Sequence, residues 1–290
     1  MTVYSKKIIK KRFLKYKKLS YIKKYPFFSI KNQFASNLEM LVKIYLSQNL
    51  ESIGKKFVDL NKSLKHINSL PNITPGGIII PKIETQLIYN SIASYCYKSL
   101  GDFAKHIKFV APISIRIKSG TIKDSSRPYE TSKLHSDAWV GMYLDGIFSI
   151  GVIGDFKNNG VEFFMPDLIS DDYFGKLSNY NEGIEKFRGI KKIGQLKKGY
   201  IHMFDNIILH KTMNKKKALP RVSIDFAFFL KNRKKMKFKN PDSKRYKYNP
   251  ALNYRDCGKY FLFKTFETIK DTEVRMIKNL QGKEGKFIKI

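Results

Sequence analysis

Apolar residues between positions 37 and about 67 recur every three or four residues, with mostly polar residues between them. This spacing predicts an amphipathic helix whose apolar face packs on a core, with Gly54 as the candidate break. The next segment, LPNITPGGIIIPK, has three prolines and two glycines and predicts a loop around a short apolar run. A second helix is predicted over residues 84–106.

The pattern changes to two-residue alternation after Lys108. In FVAPISIRIKSG, three isoleucines fall on one face of a strand, and Ser114, Arg116 and Lys118 fall on the other. Further strand candidates are HSDAWVGMYL, IFSIGVIGDF, VEFFMP, GYIHMFD, IILHKTM and RVSIDFAFFL. Short strands that follow a group of helices predict a mainly β protein, a β-sandwich or jelly roll backed by N-terminal helices.

The chain of 290 residues divides into three segments on this basis. Residues 1–107 form a basic arm and helices that pack on the core, residues 108–232 form the β core, and residues 233–290 form a C-terminal basic loop and helix. We expect one structural domain overall. Residues 1–30, rich in lysine and aromatic residues without a clean period, are predicted to be peripheral.

The charge balance is strongly basic, with 56 Lys and Arg against 24 Asp and Glu and a formal net charge of +32. Such a charge raises the hypothesis of a polyanionic ligand. Most of the positive charge is lysine, whereas phosphate recognition favours the forked guanidinium of arginine. Lysine is abundant together with Ile, Asn, Tyr and Phe, which all have codons rich in A and T, so base composition is the simpler explanation. Nucleic-acid binding is not excluded.

The N-terminal sequence and the cysteines bear on location. Cys96 and Cys257 are far apart, which predicts neither a disulfide framework nor a cysteine-based zinc site. Lysines interrupt the N-terminal segment too often for a signal peptide. No apolar run approaches the roughly 18 residues that a membrane span needs. We expect a cytoplasmic protein without a membrane span.

The segment SKLHSDAWVG contains His135 and Asp137. Positions i and i+2 of a strand point to one face, so the two side chains can present an imidazole and a carboxylate together. Five histidines and 24 acidic residues in 290 predict about 0.4 such pairs by chance, so this motif alone is weak.

Downstream residues supply a third ligand. His210 ends a strand-like run, and Arg221 begins another after ten intervening residues, so an antiparallel pair brings them close. Two histidines and one carboxylate form the ligand set of non-haem Fe(II) oxygenases, which leaves positions open. There 2-oxoglutarate binds through its keto-acid end, and its distal carboxylate needs a fixed cation. Arg221 with the Ser223 hydroxyl fits that need.

From about residue 108 to 232 the sequence resembles the phytanoyl-CoA dioxygenase superfamily of Fe(II)- and 2-oxoglutarate-dependent oxygenases, most closely its streptomycin-biosynthesis-type branch. The resemblance lies in four segments in order, LHSDAWVG, NNGVEFFMP, KKGYIHMFDNIILHKTMN and LPRVS. Many members continue the second segment with Gly-Ser-His, whereas this chain has MPDL. Its substrate-side loops are therefore expected to differ.

The resemblance implies a double-stranded β-helix, a cupin-like jelly roll. It implies iron bound by His135, Asp137 and His210, with 2-oxoglutarate held by Arg221 and Ser223. The implied reaction is oxidation of a substrate C–H bond by dioxygen, with 2-oxoglutarate converted to succinate and carbon dioxide. Hydroxylation is favoured over halogenation, because related halogenating enzymes have a small residue at the position of Asp137. The predicted substrate is a small molecule or a carrier-linked metabolite in biosynthetic tailoring.

Further residues are candidates for contact with substrate or for support of the site: Arg116, Lys118, Arg127, Tyr129, Trp139 and Asp225. Arg116 and Lys118 reach 2-oxoglutarate or substrate, or belong to a solvated strand face. Trp139 lines the pocket or fills the core. Asp225 meets substrate or orients Arg221.

The remaining histidines are given structural roles. His202 competes with His210 as a distal ligand, but its apolar strand favours a local role. His66 and His106 lack partners at ligand spacing.

Two rival functions stay open. One is an oxygenase of the same fold that acts on a polyanion such as nucleic acid, suggested by the net charge. The pattern Arg221-x-Ser223, however, lacks the second downstream arginine expected of nucleic-acid demethylases of this fold. The other is a non-catalytic basic jelly-roll binding protein whose triad holds no iron.

Overall fold

The computed structural model describes residues 2–17, 19, 21–74, 76–120, 130–140, 145–175, 177–213 and 215–230. Residues 233–290, including the C-terminal helix predicted there, lie outside the described residues, as do Arg127 and Tyr129.

Antiparallel strands dominate the described part of the chain, which confirms the prediction of a mainly β protein. The strands are β1 (Tyr4–Ser5), β2 (Phe27–Lys31), β3 (Ile78–Ile79), β4 (Ile107–Lys118), β5 (Gly146–Gly154), β6 (Val161–Ser170), β7 (Phe187–Gln195), β8 (Tyr200–Asp205), β9 (Leu209–Thr212) and β10 (Arg221–Leu230). The α-helices are α1 (Lys7–Lys15), α2 (Ala35–Glu51), α3 (Leu60–Asn68), α4 (Gln86–Lys98) and α5 (Phe156–Asn159).

The strands form two sheets. The larger sheet has six strands in the order β2-β8-β5-β10-β4-β3, each antiparallel to its neighbours. In the smaller sheet β6 is central, with β7 along one edge and β9 and β1 along the other. The two sheets meet through aromatic side chains, among them Phe163 of β6 and Phe204 of β8, whose ring centroids lie 4.9 Å apart.

The larger sheet has one apolar face, and its other face carries the polar residues of β4 and β10 beside apolar residues such as Phe204. As predicted, Ile113, Ile115 and Ile117 of β4 are buried together, in one cluster with apolar residues of α2 and α4. Burying each isoleucine contributes about 1.5–3 kcal/mol. Arg116 and Lys118 alternate with them and point to the opposite face, toward the smaller sheet. Helices therefore seal one face of the sheet and leave the other available for a polar site.

The predicted helix over residues 37–67 is divided into two helices in the structure. α2 ends at Glu51, and Gly54 adopts a positive φ of 68°, a backbone conformation that glycine adopts without a Cβ clash. α3 then begins after Asp59, whose carboxylate accepts a hydrogen bond from Lys62 N at 2.9 Å and caps the new helix. The second predicted helix also ends early, with α4 stopping at Lys98.

The prediction that residues 1–30 are peripheral is wrong. β2 is an edge strand of the larger sheet and pairs with β8 over its full length. α1 buries the side chains of Arg12 and, at its end, Tyr16. The many lysines of this segment gave no periodic pattern from which the few residues that contact the core could be predicted. Among the described residues, no helix has both the length and the apolarity of a membrane span.

Candidate metal site

His135 and His210 are cross-strand neighbours beside the smaller sheet. His210 lies in β9, and His135 lies just before the short 3-10 turn Asp137–Val140. The backbone N–H of each histidine donates to the carbonyl of the other, at 3.0 and 2.8 Å. Residues paired in this way project to the same face, which places the two imidazole centroids 4.3 Å apart.

Asp137 completes a cluster of potential metal ligands. One ligand atom from each of His135, Asp137 and His210 lies within 4.8 Å of the others. Asp137 Oδ2 is 3.6 Å from His210 Nε2, and their side chains are 16% and 12% exposed. The structure thus brings the three predicted residues together in a position that stays partly accessible.

Both histidines have the same hydrogen-bonding arrangement. Nδ1 of His135 lies 2.7 Å from Lys133 O, and Nδ1 of His210 lies 3.5 Å from Ile208 O. Because a carbonyl only accepts, the short contact of His135 assigns the proton to its Nδ1 and leaves a lone pair on its Nε2, and the longer contact of His210 favours the same tautomer. Ring orientation by a backbone carbonyl is common in metal-binding histidines. The donor set therefore fits a divalent transition metal.

The electrostatics of the cluster also favour a cation. Burial first, and then the charge of His210, hold the pKa of His135 well below its ordinary value. Burial raises the pKa of Asp137 above its ordinary value, against the opposing charges of His210 and Arg116. A neutral imidazole is a ready ligand, and a bound cation would offset the cost of an ionised, partly buried carboxylate.

Arg221 is a buried cation on the polar face of the larger sheet. It is 1% exposed. Its guanidinium donates to Asn159 O and, at 2.8 Å, to Ser223 Oγ, and it lies 5.7 Å from the centroid of the Phe156 ring. Within the described part of the chain, no carboxylate lies at ion-pair distance from it. Burial lowers the pKa of Arg221 to about 10. A bound anion would supply the missing counter-charge.

The other polar residues of this face lie closer to solvent. Asp225 Oδ2 accepts from Arg116 Nε at 3.0 Å, and Asp225 Oδ1 accepts from Ser149 Oγ at 2.6 Å. Its hydrogen-bond and ion-pair partner is therefore Arg116 and not Arg221. Lys118 Nζ donates to Thr131 Oγ1 at 3.0 Å. Arg116 and Asp225 are each about one quarter exposed, whereas Arg221 on the same face is buried.

Trp139 belongs to the core. It is fully buried, and its indole N–H donates to Tyr173 O at 2.9 Å. Phe187 stacks against it with centroids 6.4 Å apart, and a Cβ on Gly183 would lie 2.0 Å from its ring. Of the two interpretations for Trp139, core packing is the one that these contacts support.

His202 has a structural environment distinct from the cluster. Its Nε2 accepts from Lys197 N at 3.1 Å, and its ring stacks with Phe163 at 5.8 Å. Burial first, and then the charge of Lys197, lower its pKa to about 3. His202, His66 and His106 do not belong to the cluster of His135, Asp137 and His210.

Two neighbours of the cluster were not predicted from the sequence. The Tyr180 ring stacks on the His135 imidazole, with centroids 4.1 Å apart and planes 16° apart. Ser136, between the two predicted ligands, donates through Oγ to Asn206 O at 2.5 Å. Tyr180 lies in a 3-10 turn far along the chain, and no periodic pattern marks it. Ser136 was visible within the HSD motif but has no ligand chemistry of its own.

No family model matches the chain, and no curated protein matches it. Several solved structures are similar in fold. The non-heme alpha ketoglutarate dependent carbocyclase SnoK from nogalamycin biosynthesis has 9% identity and a TM-score of 0.42, over 79% of this chain and 86% of SnoK. EctD from S. alaskensis, solved with 2-oxoglutarate and 5-hydroxyectoine, has 12% identity and a TM-score of 0.39, over 71% and 72%. The non-heme monooxygenase ThoJ has 9% identity and a TM-score of 0.40, over 89% and 96%. Similarity this distant carries no functional argument, and the assignment depends on the side-chain geometry.

Proposed function

We propose that this protein is an Fe(II)- and 2-oxoglutarate-dependent oxygenase with a double-stranded β-helix core, related to the phytanoyl-CoA dioxygenase-like enzymes. One observation carries the proposal. Two histidines and one carboxylate form a cluster of potential ligands, and β6 connects this cluster to Arg221, since Phe163 of β6 pairs with His210 and Asn159 just before β6 accepts from Arg221. Arg221 is buried, and among the described residues no carboxylate lies at ion-pair distance from it.

His135, Asp137 and His210 are the proposed iron ligands. Their donor types match the facial set of non-haem iron oxygenases, which leaves coordination positions for a cosubstrate and dioxygen. The carbonyls of Lys133 and Ile208 fix the ring orientation before metal arrives. Tyr180, stacked on His135, excludes water from one side of the ligand cluster.

Arg221 and Ser223 are the proposed anchors for the distal carboxylate of 2-oxoglutarate. The Asn159 carbonyl and the Ser223 hydroxyl hold the guanidinium in place, so little side-chain entropy is lost on binding. Arg221 is nearly inaccessible to solvent, which strengthens a charge-assisted hydrogen bond to an anion. Bound iron and 2-oxoglutarate would supply oxidative decarboxylation to succinate and carbon dioxide, coupled to oxidation of a substrate C–H bond by dioxygen.

The residues of the chain itself determine which substrate can approach. Arg116 and Asp225 form a partly exposed ion pair on the face of the larger sheet that holds Arg221, and Lys118 lies on the same face. These groups favour a polar small molecule or a carrier-linked metabolite, and we propose hydroxylation because Asp137 leaves no space for a halide ligand. We propose a cytoplasmic location, where the free thiol of the buried Cys96 stays reduced.

Anaerobic titration with Fe(II) and 2-oxoglutarate tests the assignment. The bound pair should give a weak metal-to-ligand charge-transfer band in the visible. His135→Ala and His210→Ala should abolish the band, and His106→Ala, which changes an exposed histidine, should keep it. Absence of the band in the wild type, or its survival in both ligand variants, would overturn the proposal.

The net charge of +32 is the one observation that favours a polyanionic substrate. Affinity for a polyanion that contacts many phosphates falls steeply with salt, whereas turnover of a small molecule changes little. Binding of a mixed-sequence oligonucleotide between about 50 and 200 mM salt therefore separates the two functions.

A further inference from the structure

We propose that the N-terminal arm is part of the metal site: Arg12 and Tyr16 act as positioning residues that hold the turn in contact with His210 and with the segment that carries His135 and Asp137. The turn comprises residues 205–208 between β8 and β9 and is called the 205–208 turn below. This inference rests on the proposed function, because it assigns a task to the arm in the same site.

A buried ion pair joins the arm to the 205–208 turn. Arg12 Nε lies 2.5 Å from Asp205 Oδ1, and the two side chains are 3% and 0% exposed. The Tyr16 hydroxyl lies 2.8 Å from Asp205 Oδ2 and 2.8 Å from Asp145 O. The Arg12 guanidinium also donates to Asp145 O at 3.2 Å and lies 4.8 Å from the centroid of the Phe174 ring. Both carboxylate oxygens of Asp205 are thus held by residues of the arm.

Asp205 in turn fixes the conformation of the turn. Its Oδ1 accepts from Ile207 N at 2.8 Å, and its backbone carbonyl accepts from Ile208 N at 2.8 Å. A side chain that binds the backbone two residues later is a common way to stabilise a turn. Arg12 and Tyr16 therefore restrain the backbone of the 205–208 turn through one carboxylate.

Three successive carbonyls of this turn serve the candidate site. Asn206 O accepts from Ser136 Oγ at 2.5 Å, between His135 and Asp137 in sequence. Ile208 O faces His210 Nδ1 at 3.5 Å. The third carbonyl, of Ile207, accepts from the Tyr173 hydroxyl at 3.0 Å, and Tyr173 O accepts the indole N–H of Trp139 next to the ligand segment. The turn therefore contacts both the segment that carries His135 and Asp137 and the strand that carries His210.

A buried ion pair is an unusual way to dock an arm for stability alone. Removing two charges from water costs several kcal/mol, and apolar residues of similar size stabilise a protein as well or better. What the ion pair provides is directionality, since both carboxylate oxygens accept bonds in fixed directions. This directionality is what a metal site needs from the residues that support its ligands.

The test uses Co(II) alone, whose visible absorption reports both affinity and coordination geometry. Arg12→Met removes the ion pair at similar volume, and Tyr16→Phe removes a single hydroxyl from Asp205. Loss of a group that supports a metal ligand typically costs 10–100-fold in metal affinity. We expect the Co(II) Kd to rise about tenfold or more in Arg12→Met and several-fold in Tyr16→Phe, with altered Co(II) absorption, and Arg12→Lys to restore part of the affinity.

Lys15→Met is the matched control. Lys15 lies in the same helix and pairs with Asp145 at 3.2 Å. Its loss removes a charge near Asp205 but keeps the contacts of Arg12 and Tyr16 with the Asp205 carboxylate, so it should lower the free energy of unfolding while the Co(II) Kd rises less than in Tyr16→Phe. Urea unfolding of each metal-free variant separates the two effects.

If Arg12→Met does not fold, the double variant Arg12→Met/Asp205→Asn is measured instead, because it leaves neither charge buried alone. Tyr16→Phe tests the same support of Asp205 with a smaller change, since it removes only the hydroxyl next to Asp205 Oδ2. Wild-type Kd and spectrum in the folded variants would overturn the role of the arm and leave the proposed function intact. Failure of the wild type to bind Co(II) would instead overturn the proposed function.

Discussion

Asp225 pairs with Arg116 and not with Arg221, although Arg221 and Asp225 share one face of β10, and no carboxylate in the described part of the chain lies at ion-pair distance from Arg221. Asp225 Oδ2 accepts from Arg116 Nε at 3.0 Å. Arg221 is the more deeply buried of the two arginines, and its guanidinium donates to Asn159 O and Ser223 Oγ. The protein thus neutralises the accessible cation and leaves the buried one for a ligand, which is the arrangement expected of an anion site.

Replacement of Arg221 by methionine should weaken the binding of 2-oxoglutarate and leave the stability of the ligand-free protein nearly unchanged. Charge-assisted hydrogen bonds contribute about 1.5–3 kcal/mol each, so the Kd for 2-oxoglutarate should rise roughly 10–100-fold. The unfolding free energy without ligand should change by less than about 1 kcal/mol, because the lost bonds are offset by removal of an unpaired buried charge. The charge-transfer titration and urea unfolding measure the two quantities.

Arg188→Met is the control for net charge, since it removes one positive charge at an exposed position of β7. It should leave the Kd for 2-oxoglutarate within about twofold, because solvent and salt screen exposed charges. Equal weakening by both variants would mean that net charge, and not the buried position of Arg221, determines affinity.

Asp137→Asn should stabilise the metal-free protein at neutral pH. The folded-state pKa of Asp137 is raised, so the folded protein holds this proton more tightly than the unfolded chain does. Ionisation above the folded pKa therefore costs stability, and that cost disappears with asparagine. Urea unfolding at pH 7 with a chelator should show higher stability, while Co(II) binding is lost. A less stable metal-free variant would contradict the burial argument.

His202 should contribute to acid denaturation. Burial lowers its folded pKa to about 3, while the unfolded chain takes up the proton near its ordinary value of about 6.5. Its effect on stability is absent above about pH 6.5 and grows as pH falls toward about 3, by up to about 1.4 kcal/mol per pH unit. His202→Phe should flatten this slope between about pH 6 and 4, whereas His106→Gln, at an exposed site, should not.

Gly183→Ala should disturb the packing of Trp139. The added Cβ would lie 2.0 Å from the indole ring, which requires a backbone shift. Overpacking of this kind costs about 1–3 kcal/mol. Trp139 is the sole tryptophan, so its fluorescence reports the change during urea unfolding. Gly76→Ala, where the nearest atom would lie at 3.5 Å, is the control and should unfold like the wild type.

The local sequence pattern was sufficient to predict part of the fold and part of the candidate site. Alternation in β4 predicted which face Ile113, Ile115 and Ile117 bury, because a strand repeats every two residues whatever it pairs with. The motif His-x-Asp and His210 identified the three residues that the structure brings together, although Asp137–Val140 form a 3-10 turn and not the predicted strand. The predicted break near Gly54 followed in the same way from local backbone preference.

The tertiary structure alone decided the contacts between distant segments. The backbone bonds that join His135 to His210, the stacking of Tyr180 on His135, and the ion pair of Arg12 with Asp205 each join segments with no shared pattern. Periodicity reports which face of an element is apolar, but not which polar group on another element will meet it. Those partners are fixed by strand register and by the need to pair every buried charge, which are properties of the whole folded chain.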